Sequence, residues 1–302
     1  GKEYDCVVGV SGGVDSSYTL VKVKELGLRP LAVHMDNGWD SELAANNIKN
    51  LVEKLGADLY THVIDWEEYR ELMQAFFDAD VIDVELLYDN AMLAVCYQQA
   101  GNYRVKYILA GSNTATEGMR IPENWNWFKR DKKNIKNLGK MRNVRLKTFP
   151  AQGTIDYVIY EYFKKIRWIS FLDYLPDYNK FEALEILQKN YSYKPYPYKH
   201  YESIFTRFYQ GFILPVKFGV DKRKNHLSAL VLTGQMKKED AEKLLLEIPY
   251  PSEQELIDDI EYFLKKMRWT KDDLMNYLKR PEKPHTLYGS EKGLWDALAR
   301  VY

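Results

Sequence analysis

Cysteine is nearly absent: Cys6 and Cys96 are the two in a chain of 302 residues. No CxxC pair exists, which excludes a zinc ribbon and a dithiol sulfur relay. Neither cysteine sits on the tight turn that the nucleophile of a Cys–His glutaminase needs. Both fall in apolar stretches and read as buried free thiols, which fits a reducing compartment. No apolar run reaches the ~18 residues of a membrane span, and no signal peptide opens the chain, so a cytoplasmic location is expected. Neither sign of charge prevails, because 43 Lys and Arg balance 43 Asp and Glu. No global field therefore favours nucleic acid or an acidic membrane, and neither is expected as a partner. The short basic run Lys129–Lys133 reads as a solvated face. Two common phosphate signatures are also missing. A Walker loop needs a lysine after its second glycine, and Gly9, Gly12 and Gly13 do not have dinucleotide-binding spacing.

What is present begins at Tyr4–Ser17, YDCVVGVSGGVDSS. Cys6–Val10 is a short β-branched run that reads as a buried strand. Ser11-Gly12-Gly13 follows at once, Asp15 and Ser16 are good N-cap types, and Ser17–Glu25 continues as a helix that Gly27 stops. Strand, glycine turn and helix N-terminus aim backbone N–H groups and a helix dipole at one spot, which suits an anion. SGGVDS matches at every fixed position the SGGxDS loop of ATP pyrophosphatases, which cleave ATP between its α- and β-phosphates.

Further along, strands are expected at 30–34, 59–64, 106–110 and 167–172, alternating with helices over 41–55, 66–77 and 89–101. This alternation predicts an α/β fold: a doubly wound, five-stranded, mainly parallel sheet with right-handed crossovers. In such sheets ligands sit beyond the carboxyl ends of the strands, where strand order reverses. The polar turns Ser11–Ser16, His34–Asp40 and Gly111–Gly118 are expected to meet there. Residues 119–153 read as a long loop over the site. The Pro- and Tyr-rich segment 191–200 reads as a boundary between a nucleotide-binding domain, 1–190, and a helical domain, 191–302, for substrate or partner.

The blocks SGGVDSS (11–17), HMDNGWDSELAANNI (34–48), YTHVIDWEE (60–68), YILAGSNTATEG (107–118) and HYESIFTRFYQGFILPVKFGVDKRKNHLS (200–228) together resemble the N-acetyl sugar amidotransferases of the pyrophosphate-loop superfamily. That resemblance implies an enzyme of bacterial surface-polysaccharide synthesis, including lipopolysaccharide. It would turn the acetamido group of a nucleotide-linked sugar into an acetamidino group through an O-adenylated imidate, releasing AMP and pyrophosphate. It implies ATP and Mg²⁺ as cofactors. It also implies ammonia delivered by a separate glutaminase and a barrel-shaped ammonia-channelling subunit. Family members often open with a cysteine-rich segment, which the present chain is expected to have lost.

By position, Ser11, Gly12, Gly13 and Ser16 are expected to cradle pyrophosphate. Asp15 is a candidate Mg²⁺ ligand and catalytic residue, with plain helix capping as the competing role. Met35 and Asp36 should meet adenine and ribose, and Gly111, Ser112, Asn113 and Thr116 should close the other side. Glu117 could bind the metal or steer ammonia, or it could be a helix-start carboxylate. Asp89, Asn90, His200, Tyr201, Glu202, Arg207 and Arg223 are the candidate sugar-nucleotide contacts, with Lys222 a candidate catalytic cation. Arg and Lys donors suit a diphosphate, although a structural ion-pair network would use the same residues. Two other readings stay open. A tRNA-modifying ligase resembling lysidine synthase would need a basic face, and a nucleotide sensor would turn nothing over.

Overall fold

The structure is a computed structural model that describes residues 2–197 and 201–300. Its centre is a five-stranded sheet in the order β3-β2-β1-β4-β5. The strands are β1 (Cys6–Gly9), β2 (Pro30–Asp36), β3 (Asp58–Val63), β4 (Tyr107–Ala110) and β5 (Arg167–Ser170). Every pairing is parallel, so the expected α/β sheet is present and is parallel throughout. Strand order reverses beside β1: the chain runs outward through β2 and β3, then returns to lay β4 on the other flank.

Helices α1 (Val14–Glu25), α2 (Glu42–Leu55), α3 (Trp66–Asp78) and α4 (Leu86–Asn102) follow the first three strands. Ser41 Oγ accepts from Ala44 N and caps α2, and left-handed Gly56 ends it. Asp65 caps α3 in the same way. Helix α4 begins at Leu86, so Asp89 and Asn90 lie in its first turn and do not open it. It packs across β1 and β2, and more than half of its residues are buried. Short α5 (Thr114–Glu117) follows β4. The stretch 119–153 is not one irregular loop, because α6 (Lys132–Lys140) lies inside it. Only Ile135 and Leu138 mark the inner face of that helix, too few to show a period in so polar a sequence.

Helix α7 (Thr154–Val158) runs on into a π-helical turn, Ile159–Phe163. Helix α8 (Lys180–Tyr191) is capped by Asn179. Beyond 200 the described chain is helical, as expected: α9 (Ile204–Phe208), α10 (Leu214–Phe218), α11 (Arg223–Leu232), α12 (Lys238–Leu246), α13 (Glu253–Met267), α14 (Lys271–Lys279) and α15 (Lys292–Ala299). No helix among the described residues is long and apolar enough to cross a membrane.

One apolar core links the sheet-side helices to the later ones. Phe77 on α3 is fully buried, and its ring meets those of Phe205, Tyr209, Phe263, Trp269 and Tyr277. Edge-to-face aromatic pairs of this kind add to the burial itself. Removing that ring leaves a cavity walled by two ends of the chain. Phe77→Ala should lower stability by about 3–5 kcal/mol, read from the guanidinium midpoint.

Candidate active site at the strand-order reversal

Helix α1 starts one turn earlier than the sequence suggests. Gly13 is its N-cap, and Asp15 lies inside the first turn. A glycine cap has no side-chain acceptor, so the first N–H groups of α1 are not bonded by their own cap. The turn is held by its own hydroxyls. Ser16 Oγ accepts from Ser11 N at 3.2 Å and donates to Gly13 O at 3.2 Å, while Ser11 Oγ accepts from Gly13 N at 3.3 Å.

The neighbouring strand presses close. A Cβ on Gly111 would lie 2.6 Å from Ser16 N and 2.8 Å from Ser16 Cα, which backbone cannot tolerate. Gly12 has φ +83° and faces Ala44, whose carbonyl oxygen would lie 3.1 Å from a Cβ there. Thr116 Oγ1 donates to Asp15 Oδ2 at 3.3 Å. The turns after β1 and β4 are therefore in contact. The third turn joins them through His34, whose Nδ1 lies 2.9 Å from Val10 O and whose Nε2 lies 2.9 Å from Asp40 Oδ2. All three expected turns share one rim of the sheet.

Individual residues sit as follows. Asp15 accepts a very short hydrogen bond from Tyr178 on Oδ1. Burial first, and then the Asp15 charge, pushes the Tyr178 phenol far above its ordinary range. Met35 is buried in the core, so only its backbone can meet a ligand. Asp36 Oδ1 accepts from Gly38 N at 2.7 Å and shapes its own turn. Ser112 Oγ lies 2.9 Å from Ser170 Oγ. Asn113 caps α5 by accepting from Thr116 N, and both side chains are buried. Glu117 is exposed at the end of α5. Glu202 reaches the turn: its Oε1 lies 3.2 Å from the Cβ position of Gly13, and its carbonyl accepts from Ser41 N at 2.9 Å. His200 lies outside the described residues.

Other expected contacts face inward. Asn90 is fully buried and bonds Lys129 O, Gln152 O and Gln152 N, so its amide fastens a loop. Arg207 pairs through Nε and Nη2 with Asp259, at 2.6 and 2.5 Å, and stacks on buried Tyr201. Arg223 binds Asp221 and the carbonyls of Leu244 and Glu247. Asn90, Arg207 and Arg223 are thus each held by internal bonds.

Lys222 bonds Glu85 at 2.7 Å. Beside them Lys129 bridges Asp83 and Asp89, at 2.6 and 2.8 Å. Burial alone would raise Asp83, but Lys129 and Lys222 bring it below its ordinary value. Asp89 is raised, by burial and by the Asp83 charge. This group of opposed charges sits at the start of α4.

At the site, Tyr193, Tyr196, Asn225 and Lys266 were not singled out in the sequence. Tyr193 and Tyr196 both donate to Gly12 O, at 2.9 and 3.1 Å, from the segment that read as a linker. Alternate tyrosines in an extended Pro-containing run were the available signal. Lys266 of α13 bonds Gly38 O and lies over the rings of Trp39, Trp66 and Tyr262. His226 Nδ1 lies 2.9 Å from Thr116 O, and Asn225 Nδ2 donates to Met119 O at 3.1 Å, so α11 holds the turn after β4. The segment 119–153 itself bonds mainly to α3, α4 and residues 285–291.

His34 gives a pH signature. Burial opposes its charged form, but the hydrogen bond and charge of Asp40 prevail and raise its pKa above 6.5. A raised folded value means the pair stabilises fully below the unfolded pKa and loses this contribution as pH rises through the folded one. Asp40→Asn should bring the His34 NMR titration midpoint down and remove that pH dependence of stability.

Residues 202–302 match the family model described as LPS biosynthesis protein WbpG-like, C-terminal domain. No curated protein matches the sequence. Solved structures with similar folds include a predicted tRNA methyltransferase subunit from Methanocaldococcus jannaschii, at 16% identity over 61% of this chain and 74% of that one, TM-score 0.35. They also include NMN synthetase from Francisella tularensis, at 15% identity over 66% and 91%, TM-score 0.32. A third is the NH3-dependent NAD synthetase from Campylobacter jejuni subsp. jejuni, at 14% identity over 65% and 91%, TM-score 0.31.

Proposed function

We propose that the chain is an ATP-dependent, AMP-forming amidotransferase that converts an acetamido group of a nucleotide-linked sugar into an acetamidino group. The observation that carries this reading is the complete SGGxDS turn, with a glycine-capped helix, at the reversal of strand order. The match of residues 202–302 to an LPS biosynthesis family supports a sugar as the substrate. In this reading residues 1–190 handle the nucleotide and residues 191–302 present the sugar.

The residues present fit a nucleotide triphosphate. Gly12, Gly13 and Gly111 keep the cradle free of side chains where backbones already approach closely. The first N–H groups of α1 and the hydroxyls of Ser11 and Ser16 supply donors for a pyrophosphate. Backbone at Met35 and the Asp36 carboxylate edge the place for adenine and ribose. No cluster of three metal-ligating side chains exists among the described residues. Mg²⁺ on a nucleotide needs only one or two carboxylates beside the phosphates and water, and Asp15 is the carboxylate at the turn. When bound, the ion would neutralise pyrophosphate charge.

The chemistry then needs positioning and charge stabilisation, not an enzyme nucleophile. The amide oxygen attacks the α-phosphorus and pyrophosphate leaves. Ammonia adds to the activated carbon, AMP departs with the former amide oxygen, and the amidine remains after proton loss. Glu202 reaches the turn and Glu117 ends α5; in this reading Asp89 and Lys222, from the charged group at the start of α4, meet the sugar. Ammonium predominates at neutral pH and is not nucleophilic, so a separate glutaminase with a conducting barrel subunit would supply ammonia in place.

Mass spectrometry of UDP-diacetamido sugars incubated with ATP, Mg²⁺ and ammonium should show one oxygen replaced by N–H, with AMP and pyrophosphate formed. Formation of ADP would reject the reading. Ser11→Ala and Asp15→Ala should abolish turnover. Gly111→Ala should abolish ATP binding in calorimetry because its Cβ collides with Ser16 backbone, whereas Gly293→Ala, with nothing near its Cβ position, should bind as the parent does.

A further inference from the structure

A face that leads down to the strand starts, the rim opposite the site, carries apolar side chains of a different kind. On α7 and the π-turn after it, Ile155, Ile159 and Phe163 are 63%, 42% and 78% exposed. Spaced i, i+4 and i+8, these three share one face of a helical segment, and its last turn is the i→i+5 turn Ile159–Phe163. Tyr107, the first residue of β4, is 49% exposed and pairs in register with Arg167, the first residue of β5. Arg167 N donates to Lys106 O, and Lys106 Nζ donates to Lys164 O, which ties the strand starts to the end of the stripe.

Cations ring this surface. Arg104, Lys106, Lys164, Lys165 and Arg167 are all exposed. The acidic residue beside them, Glu161, points back to Tyr97 and Trp168 N. On the same helix Asp156 is neutralised by Lys132. Lys132 in turn opens onto a cavity of about 400 Å³ that also holds Lys136, Lys147 and His62. The charge balance of the whole chain conceals this local excess.

We propose that this rim docks on an anionic lipid bilayer. Exposed Phe, Tyr and Ile bury at the depth of the headgroups while Lys and Arg meet lipid phosphates, the pairing that marks interfacial binding. The charge complement selects this occupant over an apolar protein groove. Because every strand is parallel, the surface lies at the strand starts and the glycine turn at the strand ends. A docked molecule would hold its active-site crevice away from the membrane.

Flotation of the purified full chain with vesicles decides it, since no other protein is present. The chain should float with phosphatidylcholine vesicles containing phosphatidylglycerol, stay behind with phosphatidylcholine alone, and be released in roughly 0.5 M salt. Lys164→Glu with Lys165→Glu should weaken partitioning by about tenfold or more, and Phe163→Asp should also weaken it, with the thermal midpoint unchanged in both. These side chains are exposed, so the variants should fold. Failure to float, equal binding to neutral vesicles, or binding unaltered by folded variants overturns the proposal. Self-association through Phe163 in sedimentation, without flotation, overturns it in favour of a protein–protein surface.

Discussion

At the middle of the sheet, strands that lie side by side but far apart in sequence end in turns that touch backbone to backbone. Gly111 meets Ser16 so closely that no side chain fits between them. That contact forces β4 next to β1 and sets the reversal of strand order. It also brings Thr116 to Asp15. The position of every other site group follows from it. His34 and Asp40 close one side through Val10, and α11 closes the other by holding the carbonyls of Thr116 and Met119.

The later helices take part in this arrangement as walls. Phe77 and Trp39 are shared between the sheet-side helices and α9, α13 and α14. Lys266 crosses from α13 to the carbonyl of Gly38 and is caged by aromatic rings. A cation held against desolvated rings is worth more than one at an open surface. The turn after β2 is thus gripped from two ends of the chain. Arg207 and Asn90 likewise tie distant parts of the chain together, through Asp259 and Gln152.

Much of this was legible in the sequence. Short β-branched runs, capping residues and stop glycines marked the strands and the first helices, and their alternation implied a parallel sheet. The glycine turn was legible because its spacing has few structural uses. What escaped was whatever depends on residues meeting across space. Tyr193 and Tyr196 read as linker residues because nothing local reports which carbonyl a phenol will reach. Helix α6 escaped because its inner face carries so few apolar groups. The cap of α1 was misplaced because Asp15 suits a cap, yet a glycine there leaves the helix end open.

The Gly12 carbonyl, gripped by the hydroxyls of Tyr193 and Tyr196, has a kinetic meaning. In a trans peptide the carbonyl and the following N–H point in opposite directions. Two phenols on the oxygen and Ser11 Oγ on the following N–H therefore fix the plane of the Gly12–Gly13 peptide from both sides. Glycine pairs in solution sample many such orientations, and ordering them on capture would slow an encounter and weaken it. Here one orientation is already fixed in the folded turn, with both polar groups of the peptide bonded.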